Sequence, residues 1–174
     1  MRQSLCSFVL VLLIIATPGA LAQEQTDYHW TNLSGTWRGE GLLRASPDDP
    51  LEQGVCRFDV VAQSEQQMSI AGRCASAAQT GQLSTELTRN SSGVITGTAH
   101  SPLLAEPATM TGTQNGGSIA LRSEGPVSVN GRLYAISSRI NGWANDDQFS
   151  LVQRLTAQGD APAIVLQMQF SRSN

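Results

Sequence analysis

Residues 55–75 read VCRFDVVAQSEQQMSIAGRCA, two alternating runs on either side of a polar stretch. In the first run Cys56, Phe58, Val60 and Ala62 alternate with polar Arg57 and Asp59. In the second, Met68, Ile70, Gly72 and Cys74 alternate with Ser69 and Arg73. A period of two marks a half-buried β-strand, because successive side chains leave opposite faces of the pleat. Folding the segment about a three-residue loop at 64–66 sets Val60 opposite Ile70, Phe58 opposite Gly72 and Cys56 opposite Cys74. The register that matches the apolar faces thus also brings the sulfurs together. Opposed residues of a non-hydrogen-bonded pair lie about 4.5 Å apart at Cα, within reach of a disulfide. The segment is read as a hairpin closed by a Cys56–Cys74 bridge, worth ~3 kcal/mol on a loop-entropy account. Two free buried thiols are the rival reading.

The same pattern continues along the chain. An Asn115-Gly116 turn would pair Gly112 with Ile119 and Met110 with Leu121. Asn130-Gly131 would pair Val127 with Tyr134. A loop around Gly159-Asp160 would pair Leu155 with Ile164, Leu151 with Met168 and Phe149 with Phe170. Strands are expected at 33–44, 55–62, 68–75, 81–89, 93–100, 108–114, 117–124 (with an extension to 129), 132–140, 148–156 and 163–172. The stretch 81–100 alternates poorly, which leaves the count between eight and ten. No helix-length periodicity accompanies them. The predicted fold is all-β, an antiparallel up-and-down meander that closes into a barrel and so removes its edges.

Ahead of this domain, Arg2, the apolar run Leu5–Ala16 and the small residues Ala20-Leu21-Ala22 match a secretory signal peptide cleaved after Ala22. The apolar run is too short for a bilayer core of roughly 30 Å. The expected organisation is a signal peptide (1–22), an N-terminal tail (23–32) and one barrel domain (33–174), exported to the periplasm or secreted. The mature chain would carry ten arginines, no lysine and fourteen acidic residues, a net charge of −4. No stretch clusters the arginines, so the electrostatic footprint of a nucleic-acid binder is missing from the linear sequence. Cys56 and Cys74 would be its only cysteines, in a compartment that permits disulfides.

The first strand carries LSGTWRGEGLLR (33–44), where Leu33, Gly35, Trp37, Gly39, Gly41 and Leu43 share one face. An indole inside a narrow barrel needs small neighbours, and the glycines supply them. On the last strand Ile164, Leu166, Met168 and Phe170 form the inner face, with Arg172 in the same phase. In a closed meander Arg172 would meet Trp37 as a cation–π pair; fraying with the chain end is the alternative. Gly35-Thr36-Trp37 on the first strand of an exported meander, with an arginine on the last, resembles the calycin pattern. Lipocalins, fatty-acid-binding proteins, avidins and small bacterial inhibitors of secreted metalloproteases share it. The resemblance implies that Trp37 and Arg172 are structural and close one end of the barrel. It also implies a single disulfide in the first half of the domain, as in the inhibitors.

Chemistry is sparse. His29 and His100 have no partner at ligand spacing, and Asp48-Asp49 and Asp146-Asp147 read as turn residues. No catalytic residue, metal site or cofactor is expected. Loops 44–54, 76–80, 101–107 and 157–162 should emerge together, opposite Trp37, as a mouth. Leu51, Leu103 and Leu104 would form its apolar rim or fold over it as a lid. Trp143 falls at the other end. The expected function is a non-catalytic binding protein, with a small hydrophobic ligand in a cavity lined by Phe58, Ile70, Met110 and Leu121. A second reading is a protease inhibitor, or other module for a secreted or envelope protein, working through Tyr28, His29 and Trp30. Those residues would otherwise staple across the barrel bottom. A structural envelope protein is the third.

Overall fold

The computed structural model describes residues 28–142 and 147–173; the expected signal peptide and Trp143 lie outside them. Eleven strands follow one short 3-10 turn, Trp30–Leu33. They are β1 (Gly35–Leu43), β2 (Glu52–Ser64), β3 (Gln67–Ser76), β4 (Thr80–Arg89), β5 (Val94–His100) and β6 (Ala108–Asn115). After them come β7 (Ser118–Ser123), β8 (Val127–Val129), β9 (Arg132–Asn141), β10 (Gln148–Thr156) and β11 (Ala163–Arg172). Every pairing is antiparallel. β1 pairs with both β2 and β11, while β9 pairs with both β7 and β10. Ten strands therefore close into a barrel, and the short β8 extends β7 along the upper part of β9 after a break at 124–126.

Alternation dictates this closure. Trp37, Phe58, Met68, Leu87, Ile95, Met110, Ile119, Ile140, Phe149 and Phe170 are buried, one row from nearly every strand. The intervening residues, such as Arg38, Arg57, Arg73 and Arg139, stand on the outer wall. The β2–β3 hairpin has the expected register: Val60 faces Ile70, Phe58 faces Gly72, and Cys56 is bonded to Cys74. The weakly alternating stretch 81–100 forms two full strands, β4 and β5. Their inward positions include Gly81, Leu83, Thr85 and Ala99, which line a cavity and so need not be large.

Two expected registers are corrected. Gly112 pairs with Leu121 and Met110 with Ser123, two residues from the Asn115-Gly116 scheme. Asn115 stays in the ladder opposite Ser118, and Gly116-Gly117 make the turn. Gly116 takes φ +51°, which glycine adopts freely, and the ring of Tyr28 lies over both glycines and leaves no room for a side chain on Gly117. A shift of two preserves which face is apolar, so alternation alone does not fix it. A bulge at Val165 of β11, opposite Gln153 and Arg154, places Arg154 opposite Ile164 and Leu155 opposite Ala163. The bulge turns both Val165 and Leu166 inward. The other expected pairs, Leu151 with Met168, Phe149 with Phe170 and Val127 with Tyr134, are present. Among the described residues no helix is long and apolar enough to cross a membrane.

Candidate functional site

The lower end of the barrel is closed by rings. Trp37 on β1 packs edge-on to Phe149 at 4.8 Å between ring centroids. Phe149 stacks on Phe170, and Phe170 on Phe58, each at 4.7 Å. The glycines of the GTWRGEG row make this possible, though not by leaving space for Trp37 as expected. A Cβ on Gly39 would come within 2.5 Å of the Phe170 ring, and one on Gly35 within 2.5 Å of the Arg172 guanidinium. The strand is stripped so that its neighbour β11 can bring those groups in beside the indole.

Arg172 pairs with Trp37 in the ladder and sits 4.4 Å from the centre of its ring. Its Nη1 and Nη2 donate to the carbonyls of Ser34 (2.6 Å) and Asn32 (2.8 Å), and its Nε donates to Asp147 (2.7 Å). The Trp37 indole donates to the Leu33 carbonyl at 2.7 Å. The arginine thus ties the last strand to the turn that precedes the first.

Trp30 extends the closure. It is fully buried, its backbone N–H donates to Glu65 at 3.0 Å, and its indole N–H donates to Gln114 at 2.9 Å. Arg89 lies over its ring at 5.1 Å and donates to Gln114. Burial alone would raise the Glu65 pKa. Hydrogen bonds from the Thr31 hydroxyl, the Trp30 and Thr31 amides and His29 outweigh burial and hold the carboxyl below its ordinary value. Tyr28, His29 and Trp30 therefore take up the stapling arrangement across the barrel bottom.

Above the aromatic floor the strands leave a cavity of about 200 Å³. Phe58, Ile70, Met110 and Leu121 all line it, as expected from their inward phase. So do Leu43, Leu151 and Leu166, which belong to the inward rows read from the sequence, and Leu83, which lies in the poorly alternating stretch. Polar groups among them are Gln82, Thr85, Ser138 and Gln153, whose amide donates to Ser138 at 3.3 Å. Arg44, Gln79, His100 and Ser101 line the upper end. Arg44 is already engaged, donating to the carbonyls of Ile164, Pro47 and Asp49 and clamping the β1–β2 loop onto β11.

The rim residues separate. Leu104 lines the cavity, packs on the core and bridges to Val129, while Ala105 donates to the Ser128 carbonyl, so loop 101–107 lies over the mouth. Leu103 lines the cavity but is 38 % exposed. Leu51 is exposed and outside the lining. Among the described residues no three His, Cys, Asp or Glu side chains come together as a metal site.

These features define a closed ten-stranded antiparallel β-barrel with a blocked end and an interior cavity. The fold resembles that of the solved structure of Rv2717c from M. tuberculosis, with a TM-score of 0.63 at 15 % identity over 83 % of this chain and 94 % of that one. At that identity the likeness concerns the fold alone. No protein-family model matches the chain, and no curated protein matches it either.

Proposed function

We propose that this chain is an exported, non-catalytic binding protein that holds a small hydrophobic ligand inside a calycin-like barrel. The observation that carries the reading is the cavity of about 200 Å³, walled mainly by aliphatic side chains above a ring-filled floor. With one end closed by packing, water would exchange for an apolar molecule at the other, past loop 101–107. An apolar cavity of about 150 Å³ accommodates benzene, so this one suits a ligand of roughly ten non-hydrogen atoms. Thr85 and the Ser138–Gln153 pair would orient one polar group on it. Export is supported by the signal-like first 22 residues and by a disulfide that an oxidising compartment maintains.

The protein-binding alternative through Tyr28, His29 and Trp30 has less support, since Trp30 would have to leave a fully buried position and two hydrogen bonds. Native mass spectrometry of the protein purified from its own host's envelope, beside a denatured control, tests the reading. A small adduct lost on denaturation is expected. A clean apo mass, together with no uptake of naphthalene-sized apolar probes, would remove the ligand-binding reading.

A further inference from the structure

The arginines are scattered along the sequence, but the register gathers three of them. Arg38 on β1 faces Arg57 on β2, and Arg57 faces Arg73 on β3. The row continues into Ser171 on one side and Gln82 on the other. Like charges directly opposed across a ladder repel. Here they cannot slip apart, because Arg57 and Arg73 are next to the Cys56–Cys74 disulfide, which locks the register. A hydrogen-bonded antiparallel pair keeps its Cα atoms about 5.5 Å apart, so both arginines leave the same face of the wall from neighbouring positions.

Only Arg38 has a carboxylate partner, Glu40 at 3.1 Å; among the described residues Arg57 and Arg73 have none within ion-pair distance. Both line a groove of about 720 Å³ on the outer wall, overhung by loop 101–107. Outward-facing Ala71 is too small to fill it, and Gln82, Ser84, His100 and Ser101 supply further hydrogen-bonding groups. Two carboxylates also border it. Asp59 accepts a hydrogen bond from Thr36 at 2.7 Å, and Glu106 belongs to the overhanging loop.

We propose that this outer-wall groove binds a small soluble phosphate monoester, its phosphoryl group bridging Arg57 and Arg73 and its organic part lying along the groove toward Ser84 and His100. Paired guanidinium forks match the oxygens of such a group and relieve their own repulsion on it. The groove is larger than a bare phosphate needs, which favours the ester. Arg57 and Arg73 lie outside the lining of the interior cavity, although Gln82, Leu83, His100, Ser101 and Leu104 border both spaces.

Isothermal titration with phenyl phosphate and with inorganic phosphate, at fixed ionic strength, tests the assignment. Phenyl phosphate should bind the native chain more tightly than inorganic phosphate. Binding should weaken roughly tenfold or more in R57Q/R73Q, from the loss of charge-assisted hydrogen bonds, and stay unchanged in R122Q/R139Q. Both variants alter exposed wall positions, and each is checked for native thermal unfolding first. No heat with either probe, equal affinity for both, or equal loss in the two variants would overturn the proposal. So would arginine-dependent capture by anionic lipid vesicles without phenyl phosphate binding, which would assign the row to a membrane surface instead.

Discussion

At the lower end of the barrel Trp37, Phe58, Phe149 and Phe170 fill the lumen with rings; toward the upper end β1, β10 and β11 present Leu43, Leu155 and Leu166 around open space. The strands are the same, so the difference comes from side-chain size and from what the neighbours permit. About eight strands already give an interior just wide enough for side chains to fill, and ten give a wider one. Stacked aromatic rings span that width, while aliphatic branches leave its centre empty. The closed end is also tied by hydrogen bonds from Trp30, Trp37 and Arg172, whereas the mouth is covered by one loop bridged at Leu104. One end is built for stability and the other leaves volume for a guest.

The comparison breaks first at Trp37. Trp37→Ala should cost about 3–5 kcal/mol, because it removes the largest ring of a filled end. Leu121→Ala beside the cavity should cost nearer about 2 kcal/mol, since that side chain already lacks partners on one side. Urea unfolding of the two variants checks this, and equal losses would mean that the ends are packed alike. Replacing both cysteines by alanine should cost about 3 kcal/mol through the unfolded chain and change the cavity wall only at Cys74. A lowered urea midpoint with unchanged ligand retention is the expected pair of results.

A smaller change sharpens the contrast from the other side. Ala99→Leu points extra volume into the cavity, so stability should move by less than ~1 kcal/mol while any co-purified ligand is lost. A large destabilisation would show that the space is not available. The smallest effect concerns the staple. Glu65 is held below its ordinary pKa, so its contribution is complete at neutral pH and fades as pH falls below the ordinary glutamate range. Glu65→Gln should flatten that part of the acid dependence, measured as urea midpoints across the acid range. An unchanged slope would place the acid sensitivity elsewhere.

Much of the architecture was legible in the chain because strand alternation is local. All ten expected strands are present, with the extension toward 129 realised as β8. The four cavity residues followed from phase, and the Trp37–Arg172 pair from phase taken together with barrel closure. Less visible were the Gly116-Gly117 turn, which depends on where Tyr28 lands, and the bulge opposite Gln153 and Arg154, which turns Val165 inward. Leu51 shows the limit for loops: its composition suggested a rim, but loop paths are set by distant contacts such as the Arg44 clamp.

By itself the sequence determined the all-β class, the inward rows and the cysteine pairing, since each depends on residues related by a turn or by a period of two. Tertiary structure decided the rest. Barrel closure brought β11 to β1, removed the need for side chains at Gly35 and Gly39, and laid Trp30 across the floor. It also set Arg38, Arg57 and Arg73 side by side on the wall, although 19 and 16 positions separate them in the chain. Sheet register places such residues within one strand spacing, and no local pattern encodes that distance.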